Sequence, residues 1–290
     1  MTESTKGYRR NLSLLAICQA MSVSSNALVY TVGSLVGYTL TSDKALATLP
    51  IAILVIGQAL ATIPAAQISR LFGRKGSFTL GTLLGATGGA IGAAGIYFQN
   101  FMVFSLALLL MGMFAGFSFT YRFAAAESVP MVLKSKAVSF VLAGGVVGGI
   151  LGPQLAQWGR SLAHESNFLS AFVILVAVCL FSTMLVQLLQ LPKGEKQTSQ
   201  DSSVRTIGEL SKNLTFVVAV MSGSIGFASM TLIMSGTPIA IIGHGHTFST
   251  VAIVIQWHIV AMYFPSFFTG SLITRYGELK VIMLGGLLNI

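Results

Sequence analysis

Charge is what these 290 residues have least of. Asp, Glu, Lys and Arg together make up 9%, against about 25% in a soluble domain, which needs them to coat its surface. With 54% hydrophobic residues and a mean hydropathy of +0.81, the chain does not read as a water-soluble globule. No acidic residue falls inside an apolar stretch. A membrane-embedded enzyme would need paired acids, a His/Asp cluster or a zinc motif within its spans, so an enzyme is not expected. Cysteine is nearly absent too. Cys18 and Cys179 both sit in apolar stretches and read as small buried hydrophobes, with no disulfide framework or metal cluster. His244 and His246 share an outer loop without a Cys or acidic companion, so no metal site is expected. No GxxxxGKS or GxxxxGKT occurs, which removes support for ATP drive, and no cofactor is called for.

The formal charge of +9 invites a nucleic-acid reading, but the positions of the charges refute it. Fourteen of the 17 basic residues lie in five short segments between or beside apolar stretches, and no basic stripe carries interleaved aromatics. Lys6, Arg9 and Arg10 precede an apolar stretch far too long for a signal peptide, and no small-residue cleavage site closes it.

What is present is a row of apolar stretches, each of about 20 residues, the length that spans a bilayer core as a helix. They fall at 11–40, 45–69, 77–98, 101–126, 137–159, 168–191, 213–241 and 248–272. The punctuation alternates between basic-rich and basic-poor. Lys6, Arg9, Arg10; Arg70, Arg74, Lys75; Lys134, Lys136; Lys193, Lys196, Arg205, Lys212; and Arg275, Lys280 fall on one side, against Lys44 and Arg160 on the other. Because Lys and Arg accumulate on the cytoplasmic side, the amino terminus is expected in the cytoplasm, with a bacterial inner membrane as the setting.

Pro192 to Lys212 differs from the other connections: Lys, Glu, Gln, Ser and Thr give it the composition of a solvated, flexible linker. The expected organisation is a six-helix bundle over 1–191, a cytoplasmic linker over 192–212 and a partial second bundle over 213–290. An internal repeat agrees. FGRKGSFTLGTLL (72–84) aligns without gaps to YGELKVIMLGGLL (276–288), matching Gly73 with Gly277, Leu80 with Leu284 and Gly81 with Gly285. The apolar run from Lys280 to Ile290 has eleven residues. As a helix that is about 16 Å, half a crossing, so the polypeptide reads as truncated in a ninth span and not expected to transport by itself.

Two motifs carry a family resemblance. The turn Gly73-Arg74-Lys75, preceded by Arg70, resembles the latter half of the loop G-x-L-x-D-R-x-G-R-K/R between the second and third helices of the major facilitator superfamily. Ala66 stands where that motif has its first Gly, and Arg70 where it has an acid. In the family that acid helps hold the cytoplasmic ends of the two halves together. The later copy, Gly270-Ser271-Leu272-Ile273-Thr274-Arg275-Tyr276-Gly277, keeps both glycines and the Arg. In the fifth span, Gly144, Gly148 and Gly152 recur every four residues, as do Gly145 and Gly149. This spacing bares backbone for a close neighbour. Pro153 follows and permits a kink. The stretch is similar to the glycine-rich motif that ends in Gly-Pro in the fifth helix of antiporters of the same superfamily, though generic small-residue packing would look alike.

Intramembrane polar residues are the remaining candidates. Gln19, Asn26 and Tyr30 form one face at helical spacings of seven and four, lining a cavity or bonding to adjacent helices. His258 lies about ten residues into the eighth span, where a neutral His could exchange a proton, or simply bond to a neighbouring helix. Gln256, a further candidate, and Trp257 point in different directions from it at about 100° per residue, so at most one or two of the three can face a cavity. Arg122 can snorkel to headgroups, and Glu127 can pair with Arg70 or Arg74, replacing the acid missing from the second span. The resemblance implies an all-α polytopic transporter of two helical bundles, with a small-molecule substrate held between them and alternating access by rocking. It implies proton-coupled antiport or efflux of a drug or metabolite, with proton-coupled uptake or an inactive fragment as alternatives. Protons and the lipid bilayer are the other partners, nucleic acid is not, and a monomer suffices when complete.

Overall fold

The computed structural model describes residues 3–162, 168–191 and 207–287, and every regular element among them is helical. In hydrocarbon no water satisfies backbone N–H and C=O groups, so a crossing segment closes its hydrogen bonds within itself. The helices are α1 (Glu3–Leu40), α2 (Leu49–Tyr97), α3 (Phe101–Ser118), α4 (Tyr121–Glu127), α5 (Lys134–Leu162), α6 (Leu169–Gln187), α7 (Ile207–Leu210), α8 (Leu214–Gly243), α9 (Phe248–Tyr263), α10 (Ser266–Tyr276) and α11 (Glu278–Leu287).

Among the described residues seven helical stretches are long and apolar enough to cross a membrane. One of them, Lys44–Tyr97, has 54 residues and reverses at Gly73, where φ is 75° and ψ is 168°. Its two arms therefore correspond to the separate spans expected at 45–69 and 77–98. They lie side by side, since the Ser77 hydroxyl donates to the Ala65 carbonyl at 3.1 Å.

Several elements differ from the sequence reading. The expected 101–126 rod is broken at Phe119–Thr120 into α3 and α4. Ser118 and Thr120 hydroxyls bond back to the carbonyls of Phe114 and Phe117 at 2.9 and 2.8 Å, an arrangement that bends helices. The 248–272 rod is broken between α9 and α10 at Phe264–Pro265, where proline supplies no amide hydrogen. Pro153, by contrast, sits inside an unbroken α5. The sixth span ends as helix at Gln187. Of the expected linker, 192–206 lie outside the described residues, and Ile207–Leu210 is a helical turn. Of the expected ninth span, Glu278–Leu287 is helical and 288–290 lie outside the described residues.

The glycine stripes of α5 set how the helices meet. A side chain at Gly144, Gly148 or Gly152 would run into the carbonyls of Ala16, Ala20 or Ser24, so α1 and α5 run parallel at backbone contact with matching four-residue steps. The other stripe serves α9: Gly145 faces the Tyr263 ring, and a Cβ at Gly149 would lie 2.8 Å from Ile259 Cγ2. α5 is thus the common wall of the helices before and after the 192–212 segment. The two larger cores lie at different depths. One contains Leu15, Cys18, Phe78, Tyr121 and Val186 and, among the described residues, none beyond Leu191. The other, towards the far end of α1, joins Leu28, Leu54 and Phe104 to Met234, Phe248, Val251 and Ile259.

Candidate functional site

The face that carries the start of α1 gathers most of the basic residues. There Arg74 makes a two-pronged ion pair with Glu127, Nε to Oε2 at 3.0 Å and Nη2 to Oε1 at 2.5 Å. Of the two partners open to Glu127 in the sequence, geometry selects Arg74; Arg70 is exposed. Beside this pair the end of α6 is tied down. Lys75 Nζ donates to the Gln187 carbonyl at 2.6 Å and Arg10 to the Leu188 carbonyl at 2.7 Å. Asn11 exchanges two hydrogen bonds with the Gln190 backbone, at 2.7 and 3.1 Å. These are helix-end carbonyls without intrahelical partners, and cations suit them. Gly277 closes α10 with φ 85° and ψ 157°, nearly the conformation of Gly73, and Arg275 lies over the Tyr276 ring at 5.3 Å.

A cavity lies between the helices before and after the 192–212 segment. Gln19, Ser22, Asn26 and Tyr30 of α1, Gln58 of α2 and Ser118 of α3 give its polar surface; Val23, Ala27, Phe119, Phe227, Met230, Met234, Ile259, Met262 and Tyr263 give the rest. It holds about 630 Å3 of atom-free space, its open mouth included. Tyr30 and Gln58 are buried, and Tyr30 Oη, Gln58 Oε1 and Asn26 Oδ1 have no hydrogen-bond partner. Buried polar atoms are seldom left unpaired, so such a group marks a place where a guest can bind.

The five polar candidates separate here. Gln19, Asn26 and Tyr30 line the cavity together. Gln256 does not; its Oε1 accepts from Gln154 Nε2 at 2.7 Å in the α5–α9 seam. His258 is half-buried outside the lining, and its Nε2 has no partner. Gln58 and Tyr263 were missed by sequence reasoning. Gln58 gave a usable signal, a lone carboxamide in mid-span; Tyr263 gave none, because its place depends on Gly145.

At the far face, α8 is buried against the first helices in its later half, at Met234, Ser235 and Pro238. Phe168 and Phe248 stack with ring centroids 5.2 Å apart. The Arg160 guanidinium covers both, 5.8 and 5.0 Å from their centroids.

A family model described as Major Facilitator Superfamily matches residues 12–290. The chain belongs to the major facilitator superfamily. It is 41% identical over 286 residues to the riboflavin transporter RfnT of Brucella anthropi, a match covering 98% of this chain and 72% of that protein. It is 25% identical over 295 residues to the uncharacterized MFS-type transporter YddS of Bacillus subtilis, covering 96% of this chain and 67% of that one. Among solved structures it resembles FucP in the outward conformation (TM-score 0.65, 18% identity, 93% of this chain and 72% of that chain). It also resembles a D-xylose-proton symporter (TM-score 0.62, 16% identity, 87% of this chain), spanning 66% of the symporter's chain. At these identities the solved structures speak to the fold, and they share it. The chain is a multi-pass membrane protein of a transporter family, not an enzyme.

Proposed function

We propose that this major facilitator chain carries a small organic metabolite, with riboflavin as the first candidate, by alternating access through the cavity between its two helix groups. The observation that carries this reading is the cavity itself: the buried Tyr30 Oη and Gln58 Oε1, neither in hydrogen-bonding geometry with a partner, beside aromatic and methionine side chains. Riboflavin enters from the printed name of the 41% identical relative, which this chain matches over 98% of its own length. A flat ring system with polar edges suits a cleft of that make-up.

On this reading the basic face lies in the cytoplasm of a bacterial cell, as the basic asymmetry favours. The packed far face around Phe168 and Phe248 is then the closed outer side. Both walls come from one polypeptide, so a monomer is sufficient. The glycine–proline stretch of α5 supports proton-coupled exchange or efflux, with His258 as the candidate proton carrier; inward flux through the same cavity is the competing direction.

The test is transport in cells that make no riboflavin and lack a riboflavin carrier of their own. Expression from the complete gene should restore saturable uptake of labelled riboflavin, or speed its loss from preloaded cells, and an imposed pH gradient should change the rate. Flux indistinguishable from empty-vector cells in both directions would overturn the riboflavin assignment.

A further inference from the structure

The unpaired polar atoms of the cavity are grouped. Tyr30 Oη and Gln58 Oε1 belong to side chains only 6% and 7% exposed, and both lack hydrogen-bond partners. Asn26 Oδ1 and Thr231 Oγ1 likewise have no partner in hydrogen-bonding geometry; Thr231, next to the lining residue Met230, and Gln58 are close enough to the Tyr30 hydroxyl to interact with it. The group draws on α1, α2 and α8, so a guest held there touches both helix groups at once. Among the described residues no Lys, Arg, Asp or Glu lines the cavity, so the matching edge of the guest must be neutral, because an unpaired charge in that setting is heavily penalised.

The chemistry of the group narrows the guest further. A carboxamide presents an acceptor and a donor side by side, and it pairs in register with a ring edge that places N–H next to C=O. A phenolic and an aliphatic hydroxyl, each donor and acceptor, can take up the carbonyl that flanks such an edge. Phe119, Phe227 and the methionines at 230, 234 and 262 supply faces on which a flat ring rests.

We propose that Gln58, with Tyr30, Asn26 and Thr231, forms a subsite that reads the lactam or imide edge of a neutral, flat heterocycle. This deepens the transport reading above and rests on it. The subsite makes Gln58 the specificity-determining residue.

The probes are riboflavin and riboflavin methylated on its imide nitrogen, with binding followed by flavin fluorescence on purified protein expressed from the complete gene. Methylation removes the N–H that Gln58 accepts and should weaken binding about tenfold, the size of one hydrogen bond. Gln58→Leu should weaken riboflavin by a similar factor and erase the difference between the two probes. Gln58→Asn, which keeps the carboxamide on a shorter stem, should retain part of that difference. Equal binding of the two probes to the unaltered protein would overturn the subsite without requiring any variant to fold. If riboflavin does not bind but an uncharged pterin, purine or pyrimidine nucleoside does, and Gln58→Leu weakens it, the riboflavin assignment fails and the subsite stands. If none of these neutral lactams binds, the subsite is overturned.

Discussion

At the scale of single residues, the Arg74–Glu127 pair links the turn between the two arms of α2 to the end of α4, while Arg70 stays exposed. The side chains are 22% and 56% exposed, so solvent screens the pair and its worth is at most about 1 kcal/mol. A double-mutant cycle on Arg74→Ala and Glu127→Ala, followed by thermal unfolding in detergent, should return a coupling of about 0.5 kcal/mol that shrinks as salt is raised. A coupling near 3 kcal/mol and insensitive to salt would mean that the pair is far better shielded than its exposure indicates. Residue roles were legible in the sequence only where spacing alone settles a direction. Gln19, Asn26 and Tyr30 are one helical face by arithmetic and share one cavity. Which neighbour Gln256 meets depends on where α5 lies, so its bond to Gln154 could not be read from spacing.

At the scale of elements, glycine does two different things. In α5 it removes side chains so that backbones can touch. A Cβ at Gly152 would collide with the Ser24 carbonyl and lie 2.5 Å from Ala27 Cβ. Gly152→Ala should therefore already cost about 1–3 kcal/mol through overpacking, and Gly152→Leu should abolish accumulation of folded protein. Size-exclusion chromatography and membrane abundance check this, and wild-type behaviour of Gly152→Leu would contradict the α1–α5 contact. In the turns at Gly73 and Gly277 space is not the issue, since nothing lies within 4 Å of a Cβ built at either. There the backbone itself demands glycine. With φ 75° and ψ 168°, Gly73 lies outside the left-handed helical region that Asn tolerates, in a region that is essentially glycine's alone. Gly73→Asn should accordingly cost as much as Gly73→Ala, about 1–3 kcal/mol, in the same unfolding measurement. Rescue by Asn relative to Ala would place this turn in a different conformation. The repeat pointed to both turns from an aromatic-Gly pair. The breaks at Phe119–Thr120 and Phe264–Pro265 were harder to read, because hydropathy is blind to a bend inside an apolar run.

At the scale of the whole molecule, hydropathy and the distribution of basic residues were enough to give the architecture, since helix length and backbone satisfaction in a bilayer leave few alternatives. They could not give the asymmetry between the two faces. That comes from packing: the far-face core joins both helix groups, whereas among the described residues the basic-face core draws on the first group alone. The proposed orientation is testable with an impermeant thiol reagent on intact cells, because Cys18 and Cys179 are buried and contribute little background. A cysteine at Asp43 should react from outside and one at Ser211 should not; the reverse pattern would invert the molecule in the membrane.

Transport as proposed requires that solute pass through the cavity lined by Gln19, Asn26, Tyr30 and Gln58 and bounded by both helix groups. Counterflow in proteoliposomes reconstituted with protein expressed from the complete gene and carrying Ser22→Cys, a near-isosteric change at a lining residue outside the subsite, tests it directly. Labelled riboflavin outside should accumulate transiently when unlabelled riboflavin is trapped inside. Alkylating the introduced cysteine should abolish that accumulation, and excess riboflavin should slow the alkylation. Undiminished counterflow after complete alkylation would place the path elsewhere and contradict the account.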